Sequence, residues 1–300
     1  MAESTYALPT RSRFITRERV TFADRLRTAL TYVVLVLISL VTIFPFLWML
    51  SASLMGENES SVYPPRFLPT NPTLDSYFSL FGPVTRSILP FDAYIFNSIY
   101  IAVLVVIGRV FVCALGAYAF ARLRFPGREL AFGMLLASLM VPGVIRLIPL
   151  YHAYREIGWL DTHLPLIVPA IVANTFGTFL LRQFFMTLPA ELEEAARIDG
   201  ASTLRIFLQI ALPLSLPALA ALAIFTFQGS WNDFTTPVIY INDIKKTTLP
   251  VGLSVFNGQF STQYELLMAG AMIGLVPVLV VYVFFQRYFV QGIALTGIKG

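Results

Sequence analysis

The chain has 300 residues, of which 57% are hydrophobic and only 13% charged, with a mean hydropathy of +0.73. A soluble domain is about 45–50% apolar and about 25% charged, so a water-soluble enzyme or nucleic-acid-binding domain is excluded at this size. The net charge of +4 does not reopen that reading, because the basic residues are scattered between apolar runs, a pattern suited to lipid.

Residues 1–29 are polar and basic, suited to a tail on an anionic cytoplasmic lipid surface. Beyond them, residues 30–300 read as one transmembrane domain. A bilayer core needs about 20 mostly apolar residues per helix, and the gaps between charged residues supply six such runs. The first lies between Arg27 and Glu57 and includes Tyr32–Met49. Its apolar run is too long for a secretory h-region, so it is a retained helix despite the small residues Ser51-Ala52-Ser53. The proline-rich loop from Gly56 to Asp92 reads as an ordered but irregular outer segment.

The second run extends from about Ala93 to Phe120 and contains Arg109. A cation at mid-span costs about 2.5–3.5 kcal/mol, so Arg109 should face protein or water, pairing with backbone carbonyls or serving a gate. Asn97 and Ser98, near the start of this run, are placed to satisfy helix N-terminal amides. The third run starts after Glu129, is shortened by Arg146 and should bend at Pro142-Gly143. Asp161 and Arg182 bound the fourth, the fifth runs from about Leu214 to Val238, and Glu265 and Arg287 bound the sixth. The uncharged stretch Thr247–Tyr264 is too rich in Gly, Asn, Gln, Ser and Thr for a seventh, and reads as an outer loop. The fold class is therefore all-α, a polytopic membrane protein with six transmembrane helices.

Six spans put both termini on one side. That side would carry fourteen Lys and Arg residues against six on the other, with Arg109 between, which places both termini in the cytoplasm.

The segment at about residues 186–213 departs from a simple bundle. It reads as two short helices joined at a glycine. Pro189 suits a first helical turn, and Glu191, Glu193 and Glu194 gather where the helix dipole favours negative charge. Leu192, Ala195, Ala196 and Asp199 share one stripe, and Glu193 and Arg197 are spaced for an i, i+4 pair. Gly200 falls where a left-handed C-terminal residue belongs, Ser202 can cap the next helix, and Pro213 should end it. The small Ala-Ala patch with a charged edge is a poor lipid contact and a good protein contact; spacing alone also allows an amphipathic connector on the membrane surface.

The run Glu194-Ala195-Ala196, three residues, Gly200, nine residues, Ile210, one residue, Leu212-Pro213 resembles the EAA loop of binding-protein-dependent ABC importer permeases. Leu181-Arg182-Gln183-Phe184-Phe185 and Gly229-Ser230-Trp231-Asn232-Asp233-Phe234 extend the likeness, and the C-terminal run from Gln286 to Gly300 resembles the maltose-type carbohydrate-uptake branch. The resemblance implies a type I ABC importer permease fold in the inner membrane of a prokaryote. It implies that Glu194, Ala195, Ala196, Arg197, Asp199, Gly200, Leu212 and Pro213 form a coupling helix that docks on a separate ATPase. It further implies that a C-terminal tail with Gly297, Lys299 and Gly300 reaches between two ATPase subunits. The implied partners are those two ATPases, a second similar permease in a heterodimer, an extracytoplasmic binding protein and membrane lipid, with no nucleic acid. No GxxxxGK[ST] phosphate loop is present, so the chain itself holds no cofactor, and ATP and Mg would be bound by the ATPase partners.

Gln228, Trp231, Asn232 and Asp233 lie in the outer half of the fifth span. Their amide, indole and carboxylate groups suit the hydroxyls and faces of a sugar, and a solute path lined by them is one reading; an interfacial anchor and helix capping are the other. His152 and His163 read as surface or interfacial, and Cys113 sits alone in an apolar stretch, so no metal site is expected. An ion-coupled secondary transporter would show internal repeats and more midplane charge, and a membrane-embedded enzyme would need a nucleophile–base pair or an acidic cluster. Neither pattern is present. The expected function is therefore import of a carbohydrate or related polyol by a non-catalytic subunit; a permease of the same kind for a non-sugar solute is the nearest alternative.

Overall fold

The computed structural model describes residues 22–57, 59–64, 66–259 and 263–296, with the side chains of 61, 257–259 and 288–296 left aside. Among these residues there are helices and connections and no strand. Helix α1 (Phe22–Ser53) is 32 residues long, so its first turns take up part of the segment assigned to the basic tail. The proline-rich segment after it is more regular than expected: α2 (Asp75–Leu80) and α3 (Pro83–Ile88) form there, with Pro83 supplying the fixed φ of a first helical position.

Helix α4 (Phe91–Arg122) is the axis of the part of the molecule that follows residue 48. Its buried positions make two large patches besides a smaller one, Ile101 and Val105 on Leu166 and Ile241. Tyr94 and Ala102 pack with Phe227, Trp231, Leu249 and Phe256, while Cys113, Ala114, Ala117 and Tyr118 pack with Leu181, Phe185, Phe207 and Leu222. The small residues of the second patch let α4 and its neighbour approach closely, which is how helices associate where lipid gives no hydrophobic drive.

The third span is two limbs. Helix α5 (Arg128–Ala137) ends in a 3₁₀ turn to Met140, and α6 (Leu147–Glu156) follows a 3₁₀ turn over Gly143–Arg146. The limbs meet at 94° across Val141-Pro142, so the bend falls where Pro142-Gly143 predicts it, but Arg146 does not stop the helix. The fourth span is interrupted as well, into α7 (Leu164–Val172) and α8 (Thr175–Thr187), with Ala173-Asn174 between them.

Helix α9 (Ala190–Ile198) follows, with Glu193 as its buried residue. Helix α10 (Thr203–Ile206), a π-type stretch over Phe207–Ala211 and α11 (Leu212–Leu214) lead to α12 (Leu216–Trp231), bent by 77° at Ser215. Pro213 and Pro217 both lack an N–H at this corner, so the ladder opens one residue later than Pro213 alone implies. The fifth span stops at Trp231, earlier than Val238, and α13 (Thr235–Tyr240) is a separate short helix.

The stretch read as an outer loop contains α14 (Leu249–Gln259). Its polar composition misleads because the helix is held by neighbours: the Ser98 hydroxyl accepts from Leu249 N at 2.8 Å, and Leu249 and Phe256 are buried. A Cβ at Gly252 would fall on the Tyr94 ring, so only glycine allows this approach. Helix α15 (Tyr264–Thr296) closes the chain. Four helical stretches are long and apolar enough to span a membrane, and six when each bent pair counts as one span.

Candidate functional site

Helix α9 projects from the bundle with nearly all of its surface open. Leu192 is 44% and Ile198 87% exposed, and Glu191, Glu194, Ala195, Arg197, Asp199 and Gly200 are exposed beside them. The helix ends in a Schellman motif. Gly200 has φ +80°, its N–H reaches the Arg197 carbonyl at 3.0 Å, and Ala201 N–H reaches the Ala196 carbonyl at 2.9 Å. Ser202 then accepts from Arg205 N at 3.3 Å, capping α10 as its sequence position predicts. Pro189 occupies the N-cap position, one residue before the first turn.

One side chain fastens this helix. Glu193 is 6% exposed; its Oε1 lies 3.3 Å from Arg122 Nε, and its Oε2 accepts from the Tyr118 hydroxyl at 3.4 Å. Arg197 adds the expected i, i+4 pair at 3.9 Å. The Arg122–Glu193 contact is an ion pair without hydrogen-bond alignment, since neither Arg122 Nε nor Glu193 Oε1 has an aligned partner. Arg122 is engaged elsewhere: its Nη2 donates to the carbonyls of Phe185 at 2.6 Å and Leu188 at 2.5 Å. These carbonyls belong to the end of α8, where the helix dipole favours a cation. The last turn of α4 thus holds both the end of α8 and the inner face of α9. A cavity of about 610 Å³ opens beside the clamp, lined among others by Arg122, Arg124, Arg128, Arg197, Glu193 and Glu194.

A short helix fixed at one buried carboxylate leaves its other faces free. Residues 110–295, from mid-α4 through α15, match the family described as the binding-protein-dependent transport system inner membrane component. This chain belongs to that family. It is 35% identical over 90% of its length to the inner membrane ABC transporter permease protein YcjP of Escherichia coli (strain K12), covering 95% of that protein. It is 34% identical to the arabinooligosaccharides transport system permease protein AraQ of Halalkalibacterium halodurans, covering 88% of this chain and 93% of the relative. It is 33% identical to the sn-glycerol-3-phosphate transport system permease protein UgpE of Brucella abortus (strain 2308), covering 88% and 95%. Among solved structures, the fold is similar to a bacterial ABC transporter involved in the import of the acidic polysaccharide alginate. That match has a TM-score of 0.77 at 25% identity, covering 90% of this chain and 98% of the other.

The permease is thus a multi-pass inner-membrane protein of a binding-protein-dependent transport system, and its family is one of transport permeases. The structure divides the residues assigned to a solute path. Gln228 and Asn232 are exposed on one side of α12, where Asn232 Nδ2 donates to the Gln228 carbonyl at 3.0 Å. Trp231 is 3% exposed, stacks on Phe227 and donates from Nε1 to the Gly274 carbonyl at 3.1 Å, which makes it a packing residue between α12 and α15. Asp233 Oδ1 accepts from Thr236 N at 3.1 Å and caps α13. Gly297, Lys299 and Gly300 lie outside the described residues. Among the described residues no His, Cys, Asp and Glu group could hold a metal ion.

Arg109 takes the backbone option: its Nε donates to the Ala170 carbonyl at 2.5 Å, at the end of α7. On the face opposite α9, a second network joins two connections. Asp161 has φ +59°; its Oδ1 accepts from Asp243 N at 2.8 Å and Asn242 N at 3.1 Å, and its Oδ2 meets Lys246 Nζ at 2.8 Å. Asn97 Nδ2 donates to the carbonyls of Lys245 and Thr247, both at 2.9 Å, so Asn97 and Ser98 hold this distant connection rather than their own helix start. His163 Nε2 lies 2.6 Å from the Lys246 carbonyl, which only accepts, so Nε2 carries a proton; Nδ1 rests against the Tyr100 hydroxyl. The Asp161 carboxyl is held below the usual carboxylate range, chiefly by the Lys246 hydrogen bond and then by the Asp243 amide.

Proposed function

We propose that this permease is one membrane subunit of an ATP-driven importer for a carbohydrate or related polyol delivered by an extracytoplasmic binding protein. The observation that carries the reading is α9: an open helix fastened at Glu193 and turned at Gly200, offering Leu192, Glu194, Ala195, Arg197 and Ile198 to a partner. In this reading Glu194, Ala195, Ala196, Arg197, Asp199 and Gly200 dock in a groove of one of two ATPase subunits, with Leu212 and Pro213 directing the following bend. A second permease completes the membrane unit as a heterodimer, and the C-terminal Gly297, Lys299 and Gly300 reach toward the ATPases. The basic-residue asymmetry supports termini in the cytoplasm, with 1–29 as the tail and 30–300 as the permease domain. Relatives named for arabinooligosaccharides and for sn-glycerol-3-phosphate support a polyhydroxylated solute. Exposed Gln228 and Asn232, with Asp233 and Trp231 behind them, belong to the outer part of its path.

The test is reconstitution in liposomes with the ATPase, second permease and binding protein encoded nearby. ATP hydrolysis should rise when the binding protein carries sugar, and labelled sugar should enter only with ATP. Uptake by this chain alone on a proton or sodium gradient would overturn the reading.

A further inference from the structure

Two cavities open at the α9 end of the molecule and share part of their walls. The one beside the Arg122–Glu193 clamp holds about 610 Å³, and the one at the connection from α4 to α5 about 430 Å³. Arg124 and Arg128 line both. Helix α4 stops at Arg122 and α5 starts at Arg128. Irregular backbone between two spans does not sit in hydrocarbon, so this connection lies at the membrane surface.

The charges around the cavities are only partly spent. Arg122 is taken by Glu193 and two carbonyls, and Arg128 by Glu129 at 2.7 Å and the Leu123 carbonyl at 3.1 Å. Arg197 has only the 3.9 Å contact with Glu193 among the described residues. Arg124 is exposed and makes no hydrogen bond or ion pair among them. Against these two cations stands Glu194, exposed and likewise unpaired among the described residues. The balance suits a singly charged phosphodiester, whose oxygens take charge-assisted hydrogen bonds from guanidinium groups.

Beyond Arg128, α5 turns an apolar stripe outward. Leu130 is 69% and Met134 61% exposed, and Gly133 and Ala137 are exposed at the same i, i+3, i+4, i+7 spacing. A Cβ at Gly133 would meet nothing within 4 Å, so the stripe has an open dip at its centre. Phe125 and Leu130 join this stripe to the smaller cavity. A water-soluble protein docked here would match the charges and leave the stripe uncovered. A molecule with an anionic head and apolar chains matches both.

We propose that these cavities seat the headgroup of an anionic phospholipid. Its phosphodiester lies on Arg124, in the field of Arg128 and Arg197, and an acyl chain follows Leu130, Gly133 and Met134. The proposal rests on the membrane-spanning fold and not on the importer reading.

The test is native mass spectrometry of the full-length chain, with dioleoyl phosphatidylglycerol and dioleoyl phosphatidylethanolamine supplied in equal amounts. The chain should retain phosphatidylglycerol over phosphatidylethanolamine by about fivefold or more. Arg124→Gln should lower that retention about fivefold, while Arg124→Lys should keep most of it. Arg124 has no internal contact to lose, so both variants should fold. Arg205→Gln removes an equal charge from α10, outside both cavities, and should leave retention unchanged. Glycerophosphoglycerol, the same headgroup without chains, should not displace the lipid at about hundredfold excess, because it makes no acyl contact. Equal retention of the two lipids, or no loss in Arg124→Gln, overturns the site. An equal loss in Arg205→Gln overturns it in favour of general surface attraction. Displacement by glycerophosphoglycerol makes the cavities a free-phosphate site and overturns the lipid. Release of the lipid when the ATPase encoded nearby is added assigns the cavities to the α9 docking surface and overturns it as well.

Discussion

The permease is fastened at its two faces by ion pairs of opposite character. At the α9 face, Arg122 and Glu193 meet with side chains 13% and 8% exposed; Arg122 also holds the Phe185 and Leu188 carbonyls, and Glu193 has the Tyr118 hydroxyl and a looser contact with Arg197. At the other face, Asp161 and Lys246 meet at 2.8 Å with side chains 36% and 41% exposed, and Asp161 also takes two backbone amides. The inner pair is longer, more buried and poorly aligned; the outer pair is short, wet and redundantly supported. Removing one member of a buried pair strands a desolvated charge, whereas an exposed pair is screened and replaced by water. Helix α9 is thus held mainly through one buried carboxylate, while the connections at the other face are held by short, exposed contacts.

The largest way to break this contrast is Arg122→Ala. It leaves buried Glu193 with only the 3.9 Å contact to Arg197 and frees the Phe185 and Leu188 carbonyls, which should cost about 3–5 kcal/mol. In detergent, the variant should unfold at clearly lower temperature or lose α9, seen as protease cleavage near residues 188–200. Glu193→Gln in the Arg122→Ala background should restore part of the loss, because the stranded charge is gone. No recovery in the double variant would show that the carbonyl contacts, and not the ion pair, hold the helix.

The sequence made some of this arrangement legible and hid the rest for definite reasons. Apolar run lengths located the spans, and Pro142-Gly143 located a 94° bend. Gly200 and Ser202 announced their turn and cap because those conformations favour particular side chains. Sequence spacing pairs Glu193 with Arg197 alone, since its main partner, Arg122, is remote in sequence. Adjacency carries a partial signal: Glu193 and Glu194 lie about 100° apart on a helix, so they do not point at the bundle together. The break at Ala173-Asn174 gave little warning, because Pro169 sits several residues earlier and Asn174 is unexceptional within an apolar run. Helix α14 was hidden by composition, since its first amide is held by Ser98 of α4 and its apolar face by Tyr94.

Gly200→Val sharpens the comparison at intermediate size. At φ +80° a residue with a Cβ costs about 1–2 kcal/mol, and a β-branched one is worse. The bundle is remote from this turn, so overall thermal stability should fall modestly while the direction of α10 changes. ATPase co-purification should drop more than thermal stability does. Glu194→Ala is smaller still within this chain, because Glu194 is exposed and should change stability by less than about 0.5 kcal/mol. Its effect belongs to the docked complex: weaker ATPase retention and lower sugar uptake at matched membrane abundance. Wild-type retention and uptake in both variants would make α9 a surface connector.

The smallest expected effect is at Asp161, where the outer network can be probed by pH. Its carboxyl is held below the ordinary range, so the folded state favours the ionised form. The stabilisation is then fully present above the ordinary carboxyl pKa and is lost only as pH falls through the lower folded value. The charged and titratable neighbours are Lys246, Asp243 across from it, and His163, whose ring lies on the Lys246 carbonyl. Asp161→Asn keeps an oxygen for the Asn242 and Asp243 amides and tolerates the left-handed backbone, but loses the ionic contact. The measurement is hydrogen exchange at those two amides in Asp161→Asn and the unsubstituted chain, which share His163, so their difference isolates the carboxylate. That difference should be small and should not change between pH 7 and pH 5. A difference that shrinks as pH falls toward 5 would mean that Asp161 is protonating in the folded state, because the neutral carboxyl, like Asn, carries no charge to hold Lys246.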